Sequence, residues 1–515
     1  MQLMPKILVP LLTALLLAAC GGSGSSGSGP DANPARGKLL QDPPDLVSTI
    51  TAPALLLELN SLANQQLLAI GGTPLCDIAL YHLKYTTVGG ANESTSASGA
   101  LMVPLGSDAR CHGARPIVLY AHGTSTDRNF NIANVQGQPN GEGLAMAALF
   151  AAQGYIVVAP NFAGYDSSTL SYHPYLVADQ QSKDMIDALT AARSALPAAA
   201  ASNTKDNGRL YITGYSQGGY VAMATHRAMQ AAGMTVTASA PMSGPYALAA
   251  FVDAVFAGRV NASGPVSAVM LVTAYQKSYG NIYGSTADVF EPQYATGIES
   301  LLPSTTPRSQ LYAQGKLPQS ALFSSTPPDP AFADITPATT PAILAPIFAA
   351  GFGTDQLVRN TYRLSYLQDA QAHPDGGWPA TTTGTTATSP GLSLRQALKT
   401  NDLRNWTPST AVLLCGGDED PTVFWFNTQL MQGYWASHAP STVPVTVLDL
   451  DAGASGGDPY GDLKNQFELA KQITAATAVA HGATDGGASA VAEAYHAGLV
   501  PPFCLAAVKS FFAAH

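Results

Sequence analysis

Gly214-Tyr215-Ser216-Gln217-Gly218-Gly219 has the spacing G-x-S-x-G where a strand-like run, Arg209 to Thr213, gives way to a helical one. A serine on such a sharp turn presents its hydroxyl above the edge of a sheet. Glycines two residues to either side let strand and helix pass without a Cβ clash. The chemistry is nucleophilic acyl transfer. It needs a base, an acid that orients the base, and two N–H donors for the developing oxyanion. One expected donor is the Gln217 N–H, at a helix N-terminus where unpaired amides favour negative charge. The other is the Thr124 N–H in Ala121-His122-Gly123-Thr124, directly after the strand Pro116 to Tyr120. Gly123 permits close backbone approach there, and His122 is expected to pack under the loop without titrating in the reaction.

The acid must follow a later strand. Ala411 to Leu414 is followed by Cys415-Gly416-Gly417-Asp418-Glu419-Asp420-Pro421-Thr422-Val423, where three carboxylates compete. The Gly417-x-x-Asp420-x-x-Val423 layout turns and then enters a helix, which favours Asp420. Asp418 and Glu419 stay as alternatives, and the unused ones would cap the helix that begins near Val423. The base must come last, on a loop after the final strand. His481, His496 and His515 qualify by order. His496, in Ala494-Tyr495-His496-Ala497-Gly498 before Pro501-Pro502 and the last helix, is preferred. His481 ends a predicted helix, and His515 is the chain terminus. His82, His112, His173, His226, His373 and His438 are expected to be surface or packing residues.

The elements that must position these groups follow a regular order. Residues 55–71 read as an amphipathic helix. Residues 77–88 and 94–104 read as strands of a hairpin closed by Gly89-Gly90-Ala91-Asn92. Strand and helix then alternate at short intervals up to about Gly244, and again from Ala411. That pattern predicts a mostly parallel sheet with helices on both faces. Residues 246–404 break it, with helical stretches near 264–280, 340–351 and 355–370 between Pro- and Thr-rich segments, and read as one inserted helical cap, mobile over Ser216. The expected division is a leader over 1–19, a tether over 20–37, a core over 38–245 and 405–515, and the cap between. Trp378, Trp406, Phe424, Trp425 and Phe426 are candidates for a pocket lining or for core. The Thr-rich run 381–388 reads as an exposed loop.

Composition narrows the partners. Among 515 residues, Lys plus Arg is 24 and Asp plus Glu is 34, a net charge of −10. No basic run of five occurs, which argues against nucleic acid. The charged fraction is only 11 %, yet 46 % of residues are apolar, so the chain is not of the disordered type. Ile7 to Leu17 is too short an apolar run for a membrane span. It ends in Leu17-Ala18-Ala19-Cys20 before a Gly/Ser stretch. This resembles a bacterial lipobox, which implies acylation of Cys20, a flexible tether and anchorage on a membrane surface, with the outer membrane favoured. Cys76, Cys111, Cys415 and Cys504 remain, an even set that suggests two disulfides in an oxidising compartment. The sequence carries no signal for an oligomeric state.

HGT at 122–124, GYSQGG at 214–219, GGDEDPTV at 416–423 and the Tyr495-His496 pair together resemble the α/β-hydrolase superfamily. Within it the chain is similar to bacterial secreted lipases and esterases with a large helical lid. The resemblance covers about residues 75–515 less the cap. It implies an α/β-hydrolase fold, hydrolysis of carboxylic esters, and neither metal nor cofactor. Cys415 departs from the pattern, standing where a histidine often precedes the acid-loop glycine. In this fold the acid and histidine loops are neighbours, which makes Cys415–Cys504 the expected bridge, beside Cys76–Cys111 around the hairpin. An ester substrate is the expected partner, with acyl chains or a polyester as candidates. A prolyl-peptidase-type serine peptidase would use the same triad, but its propeller repeats are not visible here. An inactive binding lipoprotein is disfavoured by the complete triad.

Overall fold

Strand formation here follows from alternating burial. Val118, Val157 and Tyr211 pack on one face of the sheet, while their neighbours Leu119, Val158 and Ile212 pack on the other. That is the period-two pattern of strands covered on both sides. The computed structural model describes residues 36–61, 64–135, 141–199, 203–376, 386–438 and 442–515. The leader, Cys20, most of the tether, Trp378 and residues 381–385 of the Thr-rich run lie outside the described residues.

Eleven strands occur among the described residues: β1 Asp45–Ile50, β2 Asp77–Val88, β3 Ser94–Leu105, β4 Ala114–Ala121, β5 Ile156–Pro160, β6 Lys205–Tyr215, β7 Ala238–Met242, β8 Phe323–Ser324, β9 Phe352–Gly353, β10 Ala411–Gly416 and β11 Val445–Asp449. Nine of them form one sheet in the order β1-β2-β3-β5-β4-β6-β7-β10-β11, and β8 pairs with β9 alone. The pairs β1–β2, β2–β3 and β3–β5 are antiparallel, and from β5 onward all pairs are parallel. Helices Ala178–Ala199 and Gln217–Ala231 cover one face. Helices Glu142–Leu149 and Val500–Ala514 cover the other. The expected α/β-hydrolase fold is present.

Two local expectations need correction, and one strand is new. The helix over 55–71 is two helices, Ala52–Leu59 and Gln65–Gly71. Each buries its own leucines, Leu55 with Leu59 and then Leu67. β1 has no counterpart in the sequence reading. Its residues are largely exposed, as on an edge strand, so no alternation marks it. His496 is not on a loop. It sits in a π-helical turn, Tyr495–Leu499, inside a helical run from Ala488 to Ala514. That run is long and apolar enough to cross a membrane by composition. Val500, Phe503, Cys504, Val508 and Phe512 nevertheless bury it against the sheet, as in a core helix.

Between β7 and β10 the chain forms helices Leu248–Phe256, Gly264–Tyr279, Asn360–Ala372 and Ser393–Asn401 with shorter turns between them. Buried ion pairs join their ends. Arg395 bonds Asp253 and Asp369, and Arg404 bonds Asp375 and Asp402. Asp402 also accepts from the Ala249 N–H, and Asn401 accepts from the Ala178 N–H. Removing one partner of such a pair strands a buried charge, so the pairs bind the helices of the segment to one another, while Asn401 ties the segment to helix Ala178–Ala199 of the core.

The disulfides are Cys76–Cys111 and Cys415–Cys504. The second ties the end of β10 to the helix that follows His496. Replacing Cys415 and Cys504 together by serine is expected to lower unfolding stability by about 2–5 kcal/mol in denaturant melts, because the bridge closes a long loop. Non-reducing peptide maps should yield both bridged peptides from the native protein; a Cys76–Cys415 peptide would contradict the pairing.

Candidate active site

Ser216 occupies the turn between β6 and helix Gln217–Ala231 with φ 60°, ψ −121°. Few non-glycine residues adopt such a backbone, and strain of this kind persists where the surroundings enforce it. Here they do. A Cβ on Gly214 would lie 2.4 Å from the Gly218 carbonyl oxygen, and one on Gly218 would lie 1.9 Å from that of Ala121. Only glycines let strand, helix and the end of β4 converge beneath the serine. The Ser216 N–H donates to the Met242 carbonyl at 3.0 Å, pinning the turn to β7.

The structure brings Ser216, His496 and Asp420 together. His496 Nε2 lies 2.8 Å from Ser216 Oγ, and Nδ1 lies 2.7 Å from Asp420 Oδ2. Asp420 is buried, and its Oδ1 accepts from the Thr422 and Val423 N–H groups at 2.8 and 3.0 Å. The turn therefore spends one oxygen on its own backbone and aims the other at the imidazole. The other carboxylates point elsewhere. Asp418 is exposed, and Glu419 pairs with Lys471 at 3.2 Å. His481 is exposed at the end of helix Gly461–Ala480, bonded to the Thr477 carbonyl.

Around Gly123 the backbone is clamped from both sides. Its N–H donates to the half-buried Glu142 carboxylate at 3.1 Å, which also accepts from Tyr120 Oη at 2.6 Å. Burial raises the Glu142 carboxyl above the usual range. The Gly123 carbonyl lies 2.6 Å from His122 Nδ1. In a trans peptide C=O and N–H point in opposite directions, so the Thr124 N–H faces away from His122. A Cβ on Gly123 would sit 3.9 Å from Ser216 Cβ, so this loop runs beside the serine. The Gln217 N–H lies in the first helical turn, where no intrahelical acceptor is available. His122 is fully buried between the Phe130 and Phe162 rings, and burial pushes its pKa down to about 4.

Several supporting residues carried no sequence signal. His173, one of the packing histidines, donates from Nδ1 to the Ala163 carbonyl at 2.9 Å and accepts at Nε2 from Gln217 Nε2 at 2.6 Å. Burial lowers its pKa to about 3, which keeps that acceptor free. Thr124 Oγ1 bonds Tyr175 Oη at 3.1 Å. Behind the acid turn, Asp451 bonds Lys471, the Glu419 N–H and the Tyr495 hydroxyl. Tyr215 lies inside the GYSQGG turn, which is the one clue to it, and Glu142, 19 residues beyond Gly123, has none. Of the described aromatic candidates, Phe424 packs in the core against Phe251, Phe348 and Phe426, and the partly buried Trp406 meets Trp435. Among the described residues no cluster suited to a metal ion occurs.

The model of the Prolyl oligopeptidase family matches residues 144–259, which include the serine turn but less than a quarter of the chain. No curated protein matches. Among solved structures, the rice cell wall degrading esterase LipA from Xanthomonas oryzae is 26% identical, covers 85% of this chain and 96% of its own, and superposes with a TM-score of 0.63. A ligand-bound form of the same esterase is 25% identical over 93% of this chain and 98% of its own, with a TM-score of 0.65.

Proposed function

We propose that this α/β-hydrolase cleaves carboxylic esters through an acyl-enzyme on Ser216. The hydrogen-bonded series from Ser216 Oγ through His496 to Asp420 carries the reading. His496 Nε2 takes the hydroxyl proton as Oγ attacks the ester carbonyl. Asp420 keeps the Nδ1–H tautomer and balances the imidazolium. The Gln217 and Thr124 N–H groups receive the oxyanion; each such donor typically contributes about 3–4 kcal/mol to the transition state. The imidazolium then protonates the departing alkoxide. Water, deprotonated by His496, repeats the attack on the acyl-enzyme and frees the acid.

Residues 246–404 act as a cap in this reading. Asn261 Nδ2 donates to the Thr422 carbonyl and the Ala262 N–H to that of Pro421, both beside the acid turn. On the other side Ser304 exchanges backbone bonds with Thr126 and Arg128, just after Thr124. The segment thus reaches both flanks of the serine, while its root is tied to the core where Asn401 accepts from the Ala178 N–H and, through its carbonyl, from Tyr220 Oη. Two disulfides suit an oxidising compartment. We extend this to an envelope lipoprotein held through Cys20, on the strength of the lipobox-like leader.

The likeness to a cell wall degrading esterase supports a small ester or an ester-bearing polymer as substrate. The match to the prolyl oligopeptidase model favours a second reading, a serine peptidase with the same relay. Assays on p-nitrophenyl esters from two to sixteen carbons, beside a Gly-Pro p-nitroanilide, separate the two. Turnover of esters with an inert anilide is expected. Cleavage of the anilide with inert esters would overturn the esterase reading, and the ester series itself reads the acyl length.

A further inference from the structure

The turn that holds His496 has a gap in its backbone bonding. In the π turn Tyr495–Leu499 the Val500 N–H donates to the Tyr495 carbonyl. The next two residues are Pro501 and Pro502, which have no N–H. The His496 carbonyl would look to residue 500 in an α register or 501 in a π register. The first is engaged with Tyr495, and the second cannot donate. A buried carbonyl without a donor is costly. The hydroxyl of Tyr215 fills this place, donating to the His496 carbonyl at 2.5 Å. Its ring lies 5.0 Å from the imidazole, centroid to centroid, and its oxygen is 3.5 Å from Nδ1. Tyr215 is the residue before Ser216. Burial, with the Asp420 charge adding to it, holds its phenol pKa well above the ordinary value, so the donor proton stays in place.

We propose that Tyr215 is a positioning residue for the base: its hydroxyl bonds the His496 carbonyl that Pro501 leaves open and so locks the imidazole to the backbone that carries Ser216. The assignment rests on the proposed roles of Ser216 and His496. The nucleophile and the base are 280 residues apart in the chain, and this bond ties the residue before the one to the backbone of the other. Nothing in it touches substrate, so its loss should change the rate and not the binding.

Tyr215→Phe removes the hydroxyl and keeps the ring. kcat on a p-nitrophenyl ester is expected to fall roughly ten- to a hundredfold, with KM within about twofold, since small misplacements of a catalytic group are costly in rate. The rate at which a fluorophosphonate labels Ser216 should fall in parallel. Pro501→Ala returns an N–H at the position from which a π turn would serve His496. Added to Tyr215→Phe, it is expected to recover most of the lost kcat. Should Tyr215→Phe alone fold poorly, the double variant and its kcat are the test. A Tyr215→Phe protein with wild-type kcat overturns the assignment. So does a loss of kcat that Pro501→Ala leaves in place while the melting temperature falls, which would mark a packing role. If instead the wild type neither turns over esters nor takes the label at Ser216, the esterase reading fails, and that outcome is separate from an active, labelled wild type indifferent to Tyr215→Phe.

Discussion

Ser216→Ala is expected to lower ester turnover by at least about 10³-fold without disturbing the fold, as removal of a serine nucleophile does elsewhere. Ser216 already holds φ 60°, and alanine meets the same backbone restriction, so the turn is no more strained after the change. The groups that enforce the turn, Gly214, Gly218 and the bond from the Ser216 N–H to Met242, are untouched. What disappears is Oγ, the atom 2.8 Å from His496 Nε2. Turnover, labelling by a fluorophosphonate and circular dichroism should be measured on one preparation. Labelling should vanish while the spectrum stays. Residual turnover above a thousandth of wild type, with the spectrum unchanged, would sink the assignment of the nucleophile.

Asp420→Asn and His496→Ala should each lower kcat by about 10³–10⁴-fold, whereas Asp418→Asn and His481→Ala should stay within severalfold of wild type. The contrast has a geometric basis. Asp420 Oδ1 is engaged by the Thr422 and Val423 N–H groups, so in an asparagine the amide oxygen would stay with those donors. The NH₂ group would then face Nδ1 and favour the tautomer that cannot accept the serine proton. Asp418 is exposed, and its N–H bonds Asp449. Partial desolvation of its carboxyl and the neighbouring Asp451 raise its pKa. A ranking in which Asp418→Asn loses more than Asp420→Asn, or His481→Ala more than His496→Ala, would reverse the assignment.

Local sequence determined what local sterics govern. The serine turn was legible because glycines at 214 and 218 are required wherever strand and helix cross that closely. The β2–β3 hairpin was legible because alternation and a Gly-rich turn set its register within neighbouring residues. The parallel sheet followed from the alternation of strands and helices. Tertiary structure decided whatever depends on partners far along the chain. Asp418, Glu419 and Asp420 are chemically similar in the sequence, and the turn that uses one oxygen of Asp420 aims the other at a histidine 76 residues away. His496 looked like a loop residue because Gly498 and two prolines follow it. Packing against the sheet and the bridge to Cys415 keep the run helical, and the prolines show up as a π turn with an open carbonyl. Tyr215, Glu142 and His173 had no pattern of their own, because each acts on a group brought near only by folding: Tyr215 meets a carbonyl 281 residues away, and His173 meets Gln217 across 44. Short-range sterics can be read from spacing, whereas a hydrogen bond between distant residues is specified by the whole fold and leaves no periodicity in the chain.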